Sequence, residues 1–516
     1  MPLGELYSKQ ARRCFVLAND LRDNIQKIKQ SLGNSPDIVV REWLFGGPNG
    51  VGTAIIYISG LVDTKFINQF IMEPLMSHDL DEHFKAIRSQ NENGVDLLKQ
   101  LLLPVGEIQE AVNLNTILTG ILSGDTALLC QGSEHGLLIG SRGGEDRAIQ
   151  EPSTQPVIRG PKEGFTENID TNIALIRRKI KDHNLWLENF NVGQVTKTVV
   201  SMMYVNGIAL DKVVKEVRDR IKRIQIDGIL ESGYIEELIQ DKTFTLFPTI
   251  FNTERPDVIA AGLLEGRVAI IVDGTPFVLL VPALFPQFFQ SAEDYYQRSD
   301  ISTLVRLLRY LALVIALLAP PLYIAITTFH HEMLPPQLLI SLSAQREGIP
   351  FPAFIEALLM EVTFELLREA GVRMPKAVGQ AISIVGALVI GQAAVQAGIV
   401  SAAMVIVVSI TAIASFIIPS YNMGIPIRIL RFGFMILAAT FGLFGILAGL
   451  IGIVQHLCHL RSFGIPYMSP YAPVLAADKK DAMVRTPWWA MTSRPRTASR
   501  KNTIREKSQP SPKPET

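Results

Sequence analysis

Apolar and charged positions are segregated along this chain. Residues 377–427 are 51 consecutive positions without Asp, Glu, Lys or Arg, whereas the first 300 residues are densely charged. The pattern predicts an α/β soluble N-terminal region of two subdomains followed by an all-α polytopic membrane domain. In the first region apolar residues come in short runs bounded by turn chemistry. Segments 37–45 and 53–63 read as strands joined by GGPNGVG, between helices expected at 20–32 and around 64–76. A further helix is expected around 106–123, and a strand pair at 125–131 and 135–141 around Gly132-Ser133-Glu134. These elements make a first α/β subdomain over residues 1–150.

A Pro/Gly-rich polar run at 151–164 leads into a second α/β subdomain, residues 151–290. Helices are expected at 168–182, 210–221 and 232–240, and strands at 185–191 and 197–205. A hairpin falls within 267–282 around Asp273-Gly274-Thr275-Pro276. Segment 283–297 carries Phe285, Phe288, Phe289, Tyr295 and Tyr296, and reads as an amphipathic piece at a membrane interface, where aromatic rings concentrate.

Residues 291–460 predict a membrane domain of four to five helices. A spanning helix needs about 20 mainly apolar residues. Segments 310–329, 377–396, 399–418 and 432–457 meet that requirement. The first contains Pro320 and Pro321, which should kink it. The second and third are separated by Ala397-Gly398 alone, which forces an antiparallel hairpin. The last holds small-residue pairs such as Ala438/Gly442 and Gly445/Gly449 that let helices approach closely, within one chain or between copies.

Segment 351–369, FPAFIEALLMEVTFELLRE, has a helical period but carries acids. Glu361, Glu365 and Arg368 fall on one face with Glu356 and Glu369 on its flanks. Such a helix cannot face lipid all round. It either lies flat at the interface or lines a water-filled cavity. In the second case Glu356, Glu361, Val362, Glu365 and Glu369 are the candidate pore-lining residues. Glu361 and Glu365 would form carboxylate rings in an oligomer, or Val362 would face the axis as a dry constriction; the sequence does not choose the rotation.

Basic residues in short loops should be cytoplasmic. Arg368, Arg373 and Lys376 precede one span, and Arg428 and Arg431 precede the last. Counting 351–369 as a span gives five spans and an outside C-terminus. Yet the tail from 478 holds 10 basic against 4 acidic residues, which favours the inside. The basic, Ser/Pro-rich segment 461–516 is expected to be largely disordered.

Overall charge balances, 49 basic against 49 acidic residues, which gives nucleic-acid binding no support. The three cysteines, Cys14, Cys130 and Cys458, are far apart and suggest neither a disulfide framework nor a zinc site. The N-terminus has no apolar run of the signal-peptide type, so the large N-terminal region is expected on the cytoplasmic side. Gly46–Gly52 lacks the Lys-Ser/Thr of a phosphate loop. His330-His331-Glu332 is followed by Pro335 where a zincin needs His. No catalytic constellation or cofactor site is indicated, so an enzyme is not expected.

Several long motifs resemble one family. RGPKEGFTE (159–167), NIALIRRKI (172–180), DGTPFVLLVP (273–282), PPLYIAITTFHHEMLP (320–335) and REAGVRMPKAVGQAISIVGALVIGQAAVQAGIVS (368–401) are similar to the GerA-type spore germination proteins, A subunits of nutrient germinant receptors. The resemblance implies the inner membrane of a bacterial spore, with the large N-terminal domain on the core side. It also implies a transporter-like B subunit and a lipoprotein C subunit as partners, assembly as a homo-oligomer, and a nutrient-gated cation-conducting path. Two other readings stay open: a non-conducting scaffold or signalling subunit of the receptor, and a related spore-membrane protein acting in dipicolinate release.

Overall fold

A computed structural model of the chain describes residues 17–45, 50–76, 107–143, 151–152, 154–373, 389–475, 478–497, 499 and 502–505. The chain divides into two compact units. The first comprises residues 1–240, 250–282 and 493–506; the second comprises 241–249, 283–492 and 507–516.

Among the described residues, the first unit contains two five-stranded antiparallel sheets. In chain order the elements are α1 (Leu21–Ser31), β1 (Ile38–Phe45), β2 (Val51–Ile58), and a helical segment α2 over 64–76 whose middle turn, Ile67–Met72, is wound as π. Then come β3 (Ile108–Ala111), α3 (Leu114–Ser123), β4 (Thr126–Cys130) and β5 (Gly136–Ile139). Successive strand residues point to opposite faces, so each face needs its own cover. One face presents Ala54, Ile56, Ile58, Leu129 and Leu138 to Ile25 and Ile28 of α1 and to Ile117 and Ile121 of α3. The other presents Ile55, Tyr57, Leu128, Cys130 and Ile139 to Ile67, Ile71 and Leu75 of α2. Burial pushes the Cys130 thiol up to about 12 despite a hydrogen bond from Thr53 that works the other way, so this cysteine is inert.

The second sheet follows α4 (Ile169–Lys179) and consists of β6 (Leu185–Val192), β7 (Thr198–Val205), β8 (Phe251–Thr253), β9 (Val268–Val272) and β10 (Val278–Val281). Its helices are α5 (Asp211–Arg223), α6 (Ser232–Ile239) and α7 (Pro256–Leu264). The strand orders are β1-β2-β4-β5-β3 and β6-β7-β9-β10-β8, the same path traced twice. The registers also repeat. Ile38 pairs with Ile58 as Leu185 pairs with Val205, and Thr53 with Cys130 as Val200 with Val272. The left-handed glycines recur at matching turns: Gly60 with Gly207, Gly124 with Gly266, and Gly132 with Gly274. Gly124 closes α3 with φ 93°, a conformation that costs any other residue strain. The region is a tandem duplication of one α/β module.

The expected helix over 106–123 is corrected here. Its first part is the edge strand β3, paired with β5, and only Leu114–Ser123 is helical. Asn113 in extended backbone separates the two. Strand β8 and helix α7 lie in a stretch, 241–266, for which the sequence suggested no element.

In the second unit, Phe285–Phe289 and Ala292–Tyr295 form short 3-10 turns before α8 (Ser299–Thr328). Next come α9 (Pro336–Arg346), α10 (Ala353–Arg373), helical residues 389–396, α11 (Ala402–Ile417) and a 39-residue stretch, Tyr421–His459. α8 and Tyr421–His459 are long and apolar enough to cross a membrane. Phe288 and Phe289 are 1% and 0% exposed and pack on Tyr467 and Tyr310. Of the aromatic segment read as interfacial, Phe285, Phe288 and Phe289 therefore turn inward, because the chain after His459 supplies them with an aromatic partner, while Tyr295 and Tyr296 stay half-buried.

Candidate functional site

The stretch Tyr421–His459 is not one helix. At Gly442 the backbone leaves the helical region, with φ 60° and ψ −140°. A side chain built at Gly449 would sit 2.7 Å from Phe434 Cε1, and one at Gly445 would strike the Leu437 carbonyl. Residues 434 and 449 of a continuous helix would be about 22 Å apart. The chain therefore doubles back at Gly442, and the reading of 432–457 as a single span is corrected to two arms, 421–441 and 443–459. Gly442 makes the turn, and Gly445 and Gly449 let the two arms close on each other.

This reversal fixes the direction of the helices. The Gly442 turn lies against Phe329 and His330, at the end of α8. The second arm returns to the start of α8, where the Phe285 amide donates to the Tyr467 carbonyl (2.9 Å) and the Ala283 amide to Ser462 Oγ (3.0 Å). Near the end of α8, Tyr323 Oη meets Ser401 Oγ at 3.4 Å, and the Ser401 amide donates to Glu356 Oε2 (3.0 Å). At the opposite end of α10, Arg368 donates to Ser415 of α11. Helices α10 and α11 thus run parallel, and the chain leaves α10 at one end and enters α11 at the other. The expected span 377–396 lies mostly in this connection, largely outside the described residues. Pro320 and Pro321 are both buried within α8, and the helix continues through them.

The charged residues of α10 divide into two sets. Glu356 and Glu361 are 0% exposed. Glu361 Oε2 lies 3.2 Å from Arg431 Nη1. Glu365 accepts from Arg428 (2.9 Å) and Arg431 (3.4 Å), with Arg368 at 3.5 Å. Glu356 faces Arg346 of α9 at 3.4 Å. The cation of Arg368 also lies between the rings of Phe364 and Phe416, 5.0 and 5.1 Å from their centres. Apart from Arg368 and Phe364, which lie on α10 itself, these partners come from α9, α11 and the first arm, so they are tertiary contacts. Arg428 and Arg431 are helix residues turned into the bundle, with Arg431 1% exposed; the loop placement read from their sequence position is corrected.

The opposite stripe of α10 is exposed. Leu359 is 43%, Val362 44% and Leu366 67% exposed. Glu369 and Arg373, paired at 2.6 Å, continue the same line. The spacing 359, 362, 366, 369, 373 is the alternating three-and-four step of a helix stripe that can pack against another helix. Of the five candidate lining residues, the structure places Val362 and Glu369 on this stripe and Glu356 and Glu361 in the interior, with Glu365 half-buried beside its arginines. A second buried charge cluster, missed in the sequence, holds the start of α8. Arg306 (0% exposed) donates to Asp294 and Asp481 at 2.7 Å each, and Arg309 to Asp294 at 2.8 Å.

A duplicated α/β module ahead of a helical bundle with an internal Glu–Arg cluster is the class of protein that this geometry defines. Residues 26–497 match the family model of the Bacillus/Clostridium GerA spore germination proteins, and the chain belongs to that family. Spore germination protein KA of Bacillus subtilis (strain 168) is 51% identical over 506 residues, 98% of this chain and 92% of the relative. Spore germination protein GerLA of Bacillus cereus is 39% identical, covering 96% of this chain and 99% of that one. The crystal structure of the N-terminal domain of the A subunit of the Bacillus megaterium spore germinant receptor GerK3 is 44% identical, covers 53% of this chain and 99% of that chain, and aligns with a TM-score of 0.42.

Proposed function

We propose that this chain is the A subunit of a nutrient-germinant receptor in the inner membrane of the spore, working with a transporter-like B subunit and a lipoprotein C subunit. Copies assemble through the exposed stripe of α10 around a cation path. Val362, between Leu359 and Leu366, forms the apolar constriction, and Glu369 lies toward its end. Glu356, Glu361 and Glu365 act from behind, since their arginine partners set which face α10 turns outward. The observation that carries this reading is the burial of Glu361 against Arg431 while Val362, the next residue, is open. A dry ring of this kind gates by excluding water. Val362→Ala widens it and should raise resting potassium leak from proteoliposomes of the assembled protein about tenfold, for about 1.4 kcal/mol off the barrier. Unchanged leak from a normally assembled oligomer would favour the scaffold reading.

The directions of the helices also support a topology. With α10 and α11 parallel, the chain has to regain its starting side between them; that return, with α8, α10, α11 and the two arms of the Gly442 hairpin, gives six crossings, an even number. The described chain after His459 then lies on the side where α8 begins, which its basic charge favours. In a background with Cys14 and Cys458 replaced by serine, a cysteine at Ala397 should react only from outside and one at Val474 only from inside. Labelling of both from one side rejects the six-crossing arrangement.

A further inference from the structure

After the second arm, the chain crosses the start of α8 as a strap. Asp481 fixes it: Oδ1 accepts from Arg306 and Oδ2 from Tyr295 Oη, each at 2.7 Å. The Arg485 amide donates to Thr303 Oγ1 (3.2 Å), and Trp488 Nε1 donates to the Tyr295 carbonyl (3.2 Å). The strap is thereby held beside the turns of α8 where its outward face becomes apolar, at Leu304 (61% exposed) and Leu311 (53%). What it turns outward is a mixed surface. Met483, Val484, Trp488 and Trp489 are 42–51% exposed, with Lys479 and Lys480 exposed beside them. Tryptophan with lysine is the chemistry of a membrane–water boundary, where the indole has an apolar body and a polar edge and the ammonium meets phosphate.

We infer that this strap is a lipid-binding collar. Trp488, Trp489, Met483 and Val484 enter the boundary of the acyl chains, and Lys479 and Lys480 contact anionic headgroups of the leaflet at which α8 begins. The inference rests on the reading that α8 crosses the membrane. It follows from where the strap is anchored: a segment pinned to the first apolar turns of a spanning helix lies at headgroup depth. The collar resists tilting of α8, because Asp481 ties it to Arg306.

The test uses the full chain in vesicles whose lipid is brominated near the headgroup end of the acyl chain. Two of the four tryptophans lie in the strap, so about half of the emission should be quenched, and W488F/W489F should abolish that share. Equal quenching in wild type and W488F/W489F overturns the collar. L311W in the W488F/W489F background separates the two readings. If it is quenched while wild type shows no strap signal, the collar alone fails. If neither is quenched, α8 is outside the bilayer and both readings fail. Brominated phosphatidylglycerol should quench wild type more than brominated phosphatidylcholine, and K479Q/K480Q should remove the difference. Equal quenching of wild type by the two lipids overturns the anionic preference.

Discussion

Arg431→Leu should destabilise the helical unit by about 3–5 kcal/mol, and adding Glu361→Leu should recover most of that loss. Arg431 is 1% exposed and Glu361 0%, so neither charge has water to fall back on. Removing the guanidinium strands the Glu361 carboxylate among apolar side chains, the costly situation for a buried ion pair. Glu365 keeps Arg428 and Arg368, so the damage centres on Glu361. Removing both partners leaves two apolar side chains facing each other, which costs little beyond repacking. The check is unfolding of the purified full chain in detergent for the two single variants, the double variant and wild type. The functional reading depends on the result. If Arg431→Leu is as stable as wild type, the Glu–Arg cluster does not hold α10, and the outward position of Val362 has no energetic support.

Most of the first unit was legible in the sequence because its signals are local. Turn glycines at 132 and 274 and alternating apolar runs placed strands β4, β5, β9 and β10 within a few residues. The duplication was hidden because what the repeats share is register and a few glycines. Gly120 and Gly262 each sit under a leucine, Leu138 and Leu280, but the surrounding residues have diverged. Hydropathy located the helical unit, because apolar helices leave long charge-free runs. It could not show the reversal at Gly442, since one glycine among small residues has the same hydropathy in a turn as in a helix. The partners of the acids were also out of reach. A helix wheel finds Arg368 near Glu365, but Arg428 and Arg431 reach Glu365 only through the tertiary fold, and a count of loop charges assigned them to the wrong place. The alternation of buried and open positions on α10 was visible as a pattern; which face turned outward needed those arginines.

The junction between the two α/β modules should be equally sensitive to one carboxylate. Asp37, just before β1, receives Arg177 of α4 through paired contacts, with Nη2–Oδ1 at 3.0 Å, and Arg177 also donates to the Leu185 carbonyl at the start of β6 (3.2 Å). The side chains are 7% and 1% exposed. One arginine therefore joins a strand of the first module to a helix and strand of the second. The backbone closes tightly beside it: the Gly33 Cα, at φ 70°, lies where any side chain would meet the Trp186 ring. Asp37→Ala leaves the guanidinium buried with only a carbonyl, and should cost about 3–5 kcal/mol. Asp37→Asn keeps an acceptor but loses the charge, and should cost less. Urea unfolding of the full chain in detergent, followed by fluorescence and by proteolysis between the modules at 151–164, measures both variants. A loss below about 1 kcal/mol for Asp37→Ala, the range of an exposed pair, would mean that the modules hold together through apolar packing alone.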